Sequence, residues 1–145
     1  MQDNATPLSP ASFMTRIAAM IYELLLVTAV VFVASFIIAP VVGDLHAPWQ
    51  RHLFQGYILG VLFIYFSTFW LRSGQTLAMK TWRIRLVRQN GDPLTLKLAA
   101  IRFVLALTGI LFAGIGLWWA LIDRDKQFLH DRIAGTRLVR VPRKT

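Results

Sequence analysis

The sequence predicts an all-α membrane protein with three hydrophobic helices and a small cytoplasmic β-hairpin-like element. The chain has 145 residues, of which 56% are apolar and 16% are charged, and this balance differs from that of a soluble domain of similar size. The apolar residues are concentrated in three runs, at 17–39, 53–71 and 103–122, which together contain one charged side chain, Glu23. Apolar runs of this kind predict membrane helices.

Each run is long enough to cross a bilayer as a helix. The runs contain 23, 19 and 20 residues, and a helix of about 20 residues matches a hydrocarbon core of roughly 30 Å. Helices of a soluble bundle would carry a polar stripe, which none of the three runs has. We expect one domain over residues 16–141, between an N-terminal tail at 1–15 and a basic C-terminal tail at 142–145.

The net charge of +9 comes from two blocks that flank the apolar runs. Residues 72–102 carry seven basic side chains and one acidic one, and residues 123–145 carry seven basic and three acidic ones. Because basic loops stay on the cytoplasmic side, we expect the first block and the N-terminus in the cytoplasm and the connector at 40–52 outside. Membrane topology explains the basic charge, so we expect no nucleic-acid partner.

The third run allows two topologies. A full crossing is the simpler interpretation of its length, but it places the basic block at 123–145 outside the cell, against the charge rule. If the run enters the membrane and returns, both basic blocks are cytoplasmic, and Gly109, Gly114 and Gly116 would permit the bend. The sequence alone leaves both alternatives open.

Two short segments alternate basic and apolar residues for most of their length, with the period of a half-buried strand. They are residues 83–88 (RIRLVR) and 136–141 (TRLVRV), and they can pair only if they share a compartment. In the alternative, an Asn-Gly turn joins the first segment to a second strand at 94–98. That strand would be shortened if Thr95 caps the third helix instead.

Glu23 is the strongest single candidate for a functional residue. A carboxylate inside a span costs roughly 2.5 to 3.5 kcal/mol unless it is neutralised or paired. Arg16 lies two turns earlier on the same helix face, some 10 Å away, and partners on other helices, with Arg102 first, fit equally well. Glu23 either exchanges protons or binds a cation on a transport path, or it is a buried ion pair or hydrogen-bond acceptor that fixes helix register.

The other candidate residues lie near the C-terminus. His130 and Asp131 are adjacent, but two neighbouring residues seldom face one ion, and no third ligand follows at suitable spacing. Asp131 is more readily explained as a salt-bridge or turn-capping residue near Arg132. The chain has no cysteine and no nucleophile elbow, phosphate-binding loop, dinucleotide fingerprint or HExxH motif. We therefore expect no metal, no cofactor and no enzymatic activity.

Three stretches of the chain resemble the signatures of one family of bacterial membrane proteins. Residues 16–23 (RIAAMIYE) are similar to an R-x-x-A-x-x-x-D pattern, and residues 129–136 (LHDRIAGT) are similar to L-H-D-x-x-A-G-T. Between them, GQTLA at 74–78 and RIRLV at 83–87 resemble G-x-T-x-G and R-V-V, with alanine in place of the second glycine. These are the patterns of the RDD family, named for one arginine and two aspartates.

The resemblance implies a multi-pass protein of the bacterial inner membrane with a role in transport. The family's charged positions correspond to Arg16, Glu23 and Asp131, with Glu23 in place of an aspartate. In this hypothesis the three form one charged constellation near the cytoplasmic face. Their candidate charge partners are Arg102, His130 and Arg132.

Two function hypotheses follow from the sequence. In the first, the protein is a transport or ion-exchange component, and three helices enclose too little volume for a sealed path, so we expect a homo-oligomer or a membrane protein partner. In the second, it is a non-transporting scaffold or accessory subunit whose basic blocks bind anionic lipid or a partner protein.

Overall fold

The computed structural model describes residues 9–112, 114–124 and 127–142. Residues 1–8 of the predicted N-terminal tail and 143–145 of the predicted C-terminal tail lie outside this description. The described chain is mostly helical, with one small sheet. Its elements are α1 (Phe13–Val42), α2 (Pro48–Ser73), α3 (Leu77–Thr81), β1 (Ile84–Arg88), α4 (Leu96–Leu111), α5 (Ile115–Ile122), α6 (Leu129–Ile133) and β2 (Thr136–Arg140).

The first two helices are long and apolar enough to cross a membrane. α1 has 30 residues and α2 has 26, which corresponds to about 45 and 39 Å of helix. Only 11% of the most apolar window of each helix is buried inside the chain, so side chains such as Phe32 and Phe36 are exposed. The predictions of membrane helices at 17–39 and 53–71 are therefore supported, and each helix extends beyond its apolar run.

The third apolar run, 103–122, does not form the single continuous helix that a full crossing requires, and the left-handed Gly114 is one of the glycines at which the alternative of re-entry placed the bend. α4 begins before the run, and α5 is a separate helix that starts after Gly114, whose φ of 73° is left-handed. That conformation interrupts a right-handed helix. With 16 and 8 residues, α4 and α5 are each shorter than a membrane span, and the described residues contain no third membrane-spanning helix.

The two basic strands pair with each other. β1 and β2 are antiparallel, with Ile84 opposite Arg140 and Arg88 opposite Thr136, which confirms that the two predicted segments share one end of the molecule. The alternative hairpin with residues 94–98 is wrong, because the Thr95 hydroxyl accepts a hydrogen bond from the Leu98 N–H and caps α4. The predicted hairpin-like element is thus a pair of strands that are distant in the sequence.

The N-terminal segment extends this sheet along the free edge of β2. The Ala11 N–H donates to the Leu138 carbonyl at 3.0 Å, and the Arg140 N–H donates to the Ser9 carbonyl at 2.8 Å. We call residues 9–11 together with α3, β1, α6 and β2 the base layer. A core of buried apolar residues joins the sheet to the first turns of α1 and α4 and the last turn of α2; it contains Ala11, Ala19, Trp70, Ile84, Leu86, Ala99 and Leu138.

Candidate functional site

Glu23 lies on α1 and is held by two hydroxyl groups. The Tyr65 hydroxyl on α2 donates to Glu23 Oε1 at 3.0 Å, and the Thr76 hydroxyl donates to Oε2. Thr76 is fully buried and is also the N-cap of α3, where its hydroxyl accepts from the Met79 N–H. The carboxylate therefore connects α1, α2 and α3, and we call Glu23, Tyr65 and Thr76 the Glu23 cluster.

Arg102, the first candidate partner of Glu23 on another helix, does not pair with it in the described contacts. Arg102 instead forms a buried ion pair with Asp131, through a hydrogen bond from Arg102 Nη1 to Asp131 Oδ1. This partner exists because the chain after α5 returns to the start of α4, a tertiary contact that helical spacing does not reveal. Among the described residues, the hydrogen bonds to the Glu23 carboxylate come from Tyr65 and Thr76.

The Arg102–Asp131 pair joins α4 to α6. Arg102 Nη1 also donates to the Thr136 hydroxyl at 3.0 Å, and the guanidinium lies 4.9 Å from the centroid of the Trp70 ring. The side chains of Arg102 and Asp131 are only 4% and 1% exposed, so each charge needs the other. Together with Thr136, they form what we call the Asp131 cluster.

The Asp131 cluster retains unused hydrogen-bonding capacity. Asp131 Oδ2 and Arg102 Nε have no hydrogen-bond partner among the described residues, and the same holds for the neighbouring Trp70 Nε1 and for Ser67 Oγ one helical turn away. Buried polar groups normally find a partner. Arg102 lies over the Trp70 ring, so the unpartnered groups of these two side chains are neighbours at the contact between α2 and α4.

His130 borders the Asp131 cluster without sharing its charge. Its Nε2 lies 3.7 Å from Asp131 Oδ1, but burial, assisted by the positive charge of Arg102, lowers the pKa of His130 to about 3. The imidazole is therefore neutral at pH 7, and the candidate charge pair with Asp131 does not form. The ring stacks on Phe128, with 5.7 Å between centroids.

Arg16 is placed near the same end of the molecule. Its Nε donates to the Ala11 carbonyl at 2.9 Å, and its guanidinium lies 6.0 Å from the centroid of the Phe128 ring. Asp123 acts on it electrostatically. Arg16 thus holds the N-terminal segment against the start of α1. Its guanidinium faces the Phe128 ring, on which His130 stacks.

Arg132 is paired with Asp123 rather than with Asp131. Asp123 also accepts a hydrogen bond from the Gln127 N–H at 3.2 Å, so the ion pair closes the turn between α5 and α6. In the described contacts, Glu23 and Asp131 of the predicted constellation lie in two separate hydrogen-bonded clusters, while Arg16 contacts Ala11 and Phe128. Within the residues the structure describes, no group of three His, Cys, Asp or Glu side chains is arranged to hold a metal ion.

The hydroxyl partners of both acids are not predicted from the sequence. Thr76 and Thr136 lie inside the G-x-T and A-G-T stretches that carry the family resemblance, and this was the one available signal. Tyr65 is one of several aromatic residues in the second apolar run and has no distinguishing local pattern. A hydroxyl beside a carboxylate becomes visible only when the helices are packed together.

Two long apolar helices with charged clusters packed against one end are the features of a helical membrane protein. A sequence profile of the RDD family matches residues 10–135. The chain therefore belongs to the RDD family, as the three motifs indicate.

One curated relative is an uncharacterized protein of Rickettsia prowazekii (strain Madrid E). It is 37% identical to this chain over 82 residues, which are 55% of this chain and 44% of the relative. The match thus spans less than half of the relative's length. No solved structure matches the chain.

Proposed function

We propose that this protein is a non-enzymatic component of a membrane transport or ion-exchange assembly, and that the Glu23 carboxylate is its ion-binding group. The observation that supports the proposal is the pair of hydroxyl partners on Glu23, Tyr65 and Thr76. An intramembrane acid paired with arginine is already neutralised, whereas hydroxyl partners leave its charge to be balanced by a proton or a cation. Asp131, which is paired with Arg102, has a structural role in this proposal.

We infer that the third apolar run enters the membrane from the cytoplasmic side and returns to it. Arg102, near the start of α4, contacts Asp131, which follows α5. From Arg102 to Leu111 the helix rises about 14 Å, roughly half of a hydrocarbon core. In the bacterial inner membrane, this arrangement keeps both basic blocks and the N-terminus in the cytoplasm, which satisfies the charge rule.

We infer that transport requires a second copy or a membrane protein partner. One groove in the described chain, with a volume of about 410 Å³, lies between α1 and α2 and is lined by apolar side chains such as Ala29, Ala34 and Val61. A second cavity of about 190 Å³ lies between α4 and α6. Neither one provides a row of polar groups for an ion to follow, so a path needs further helices.

The proposal is tested by ion flux in reconstituted vesicles. Purified protein is incorporated into vesicles that contain a pH-sensitive dye, a gradient of an alkali cation is imposed, and the change of internal pH is recorded. Wild-type protein should couple cation movement to proton movement. Glu23→Gln should reduce the signal to that of protein-free vesicles, because the amide cannot bind a proton or balance a cation.

Two further variants make the result specific. Glu23→Asp keeps the charge and should retain flux, whereas Asp44→Asn removes an exposed acid from the connector and should leave flux at the wild-type level. Equal flux from wild-type protein and Glu23→Gln would remove the carboxylate from the mechanism. Wild-type flux no higher than that of empty vesicles, both for the purified protein and for inverted membrane vesicles that retain any partner, would overturn the transport proposal and favour the scaffold hypothesis.

A further inference from the structure

Three cationic side chains are gathered around the C-terminal end of α2. Arg72 lies in the last turn of the helix. Lys80 on α3 places its Nζ 6.0 Å from the centroid of the Phe69 ring, and Phe69 is one turn before Arg72 on the same helix face. Arg85 on β1 passes close to Gly74, where an added Cβ would lie 3.2 Å from Arg85 Cγ. Each of the three residues therefore lies in or beside the last turns of α2 or its capping glycine.

These cations have no acidic partner among the described residues. The described ion pairs join Asp92 to Arg88, Asp123 to Arg132, and Asp131 to Arg102. Arg72, Lys80 and Arg85 are all exposed, and none of them donates a described side-chain hydrogen bond. The C-terminal dipole of α2 favours nearby cations, but the end of the helix is already capped by the Gly74 N–H, which donates to the Trp70 carbonyl.

The neighbouring apolar residues fix the depth of this cationic group. Leu71 is 40% exposed, Leu77 is 45% exposed and Trp82 is 42% exposed. Exposed leucines beside cations, with a tryptophan close by, are typical of the boundary between acyl chains and headgroups. The end of α2 is also the point at which the second membrane-length helix stops, so the cations lie at the level of lipid phosphates.

We propose that Arg72, Lys80 and Arg85 form a binding site for the headgroup of an anionic phospholipid in the adjacent leaflet. The three cations contact the phosphate and the negative headgroup, and Leu71 and Leu77 contact the upper part of the acyl chains. The guanidinium group of arginine can donate two parallel hydrogen bonds to phosphate oxygens, and the lysine ammonium group also binds them. This site does not depend on Glu23 or on ion exchange.

The experiment is native mass spectrometry of the purified protein from micelles that contain equal amounts of phosphatidylglycerol and phosphatidylcholine. Wild-type protein should retain phosphatidylglycerol in preference to phosphatidylcholine. The triple variant R72Q/K80Q/R85Q should retain the two lipids equally, because near-surface cations carry the selectivity for anionic lipid. The charge-matched variant R51Q/K97Q/R124Q, which removes three exposed cations elsewhere, should keep the wild-type preference.

Three further results decide between alternatives. The conservative variant R72K/K80R/R85K should restore the preference for phosphatidylglycerol. Equal loss of preference in both glutamine triples would show that net charge, not this site, selects the lipid, and would overturn the proposal. Displacement of the bound lipid by millimolar inorganic phosphate would overturn it as well, since the site would then recognise free phosphate. Melting temperatures of all variants verify that each protein is folded.

Discussion

The two acidic residues of the family signature are balanced in different ways. Asp131 is buried against Arg102, and removing one partner of such a pair typically costs about 3–5 kcal/mol, because the other charge remains buried alone. Glu23 accepts hydrogen bonds from Tyr65 and Thr76 and has no described cationic partner. Asp131 therefore locks the returning chain onto α4, while the described partners of Glu23 are two neutral hydroxyl groups.

The neutral state of His130 predicts an acid-sensitive fold. Its pKa is lowered from 6.5 to about 3 in the folded chain, so the unfolded chain binds more protons between these values. Stability is then complete above pH 6.5 and is lost as the pH falls towards 3, with a slope of up to about 1.4 kcal/mol per pH unit. Thermal unfolding in detergent, recorded from about pH 7 to about pH 5, measures this slope.

The matched variant for this prediction is His130→Gln. Glutamine keeps a neutral polar side chain next to Asp131 but does not titrate, so the loss of stability on acidification should be smaller than in the wild type. Carboxylates that titrate in the same range contribute to both proteins, and the difference between the two slopes isolates the histidine. Identical slopes would contradict the assignment of a buried neutral imidazole.

At the scale of residues, charge pattern predicts which side chains matter but not what they touch. Glu23 is notable because it is the one charge within the three apolar runs, and Arg16 and Asp131 are notable because they match the charged positions of the family motifs. The described partners of the two acids lie far away along the chain, at separations of 29 to 53 residues. These contacts depend on helix packing, which a single sequence does not encode in any local pattern.

At the scale of elements, α1, α2 and the strand segments could be predicted, whereas a bend of the third run was one of two alternatives that the sequence left open. Periodicity and length define the first two helices and both strands. The third run is uniformly apolar, so its hydropathy does not distinguish one helix from two. The interruption depends on the left-handed backbone at Gly114, and glycine permits this conformation without requiring it.

The end of α2 depends on Gly74 in a way that can be tested. Gly74 has φ of +66°, and a Cβ there would lie 2.7 Å from the Leu86 carbonyl oxygen, while its own carbonyl accepts from the Leu86 N–H at 2.8 Å. Gly74→Ala should therefore lower the free energy of unfolding by roughly 1–2 kcal/mol, which is the cost of holding alanine in a left-handed conformation. The added methyl group should also push β1 away from the helix. The melting temperature in detergent should fall accordingly.

Gly135→Ala is the matched control. Gly135 also has φ of +66°, but nothing lies within 4 Å of an added Cβ. The alanine there incurs the conformational cost alone, so the fall in melting temperature should be smaller than for Gly74→Ala. Equal effects at the two glycines would show that the close approach of β1 to α2 contributes nothing to stability.

At the scale of the whole molecule, the pairing of β1 with β2 shows how the length of the third apolar run is compatible with the positions of the two basic blocks. A full crossing by residues 103–122 would separate the two basic blocks, yet the structure pairs β1 from the first block with β2 from the second. The N-terminal segment hydrogen-bonds to the same sheet. The charge distribution therefore favoured the arrangement in which the two basic blocks lie together, which the strand pairing shows. The length of the third run favoured a full crossing, but two short helices satisfy the same hydropathy as one long one.

Reporter fusions test this topology directly. A fluorescent protein that folds only in the cytoplasm should be bright at both the N-terminus and the C-terminus, and alkaline phosphatase should be inactive at both ends. Phosphatase inserted in the α1–α2 connector at His46 should be active, because the connector is then on the outer side. An active phosphatase at the C-terminus would mean that residues 103–122 cross the membrane; β1 and β2 would then lie on opposite sides of it and could not pair.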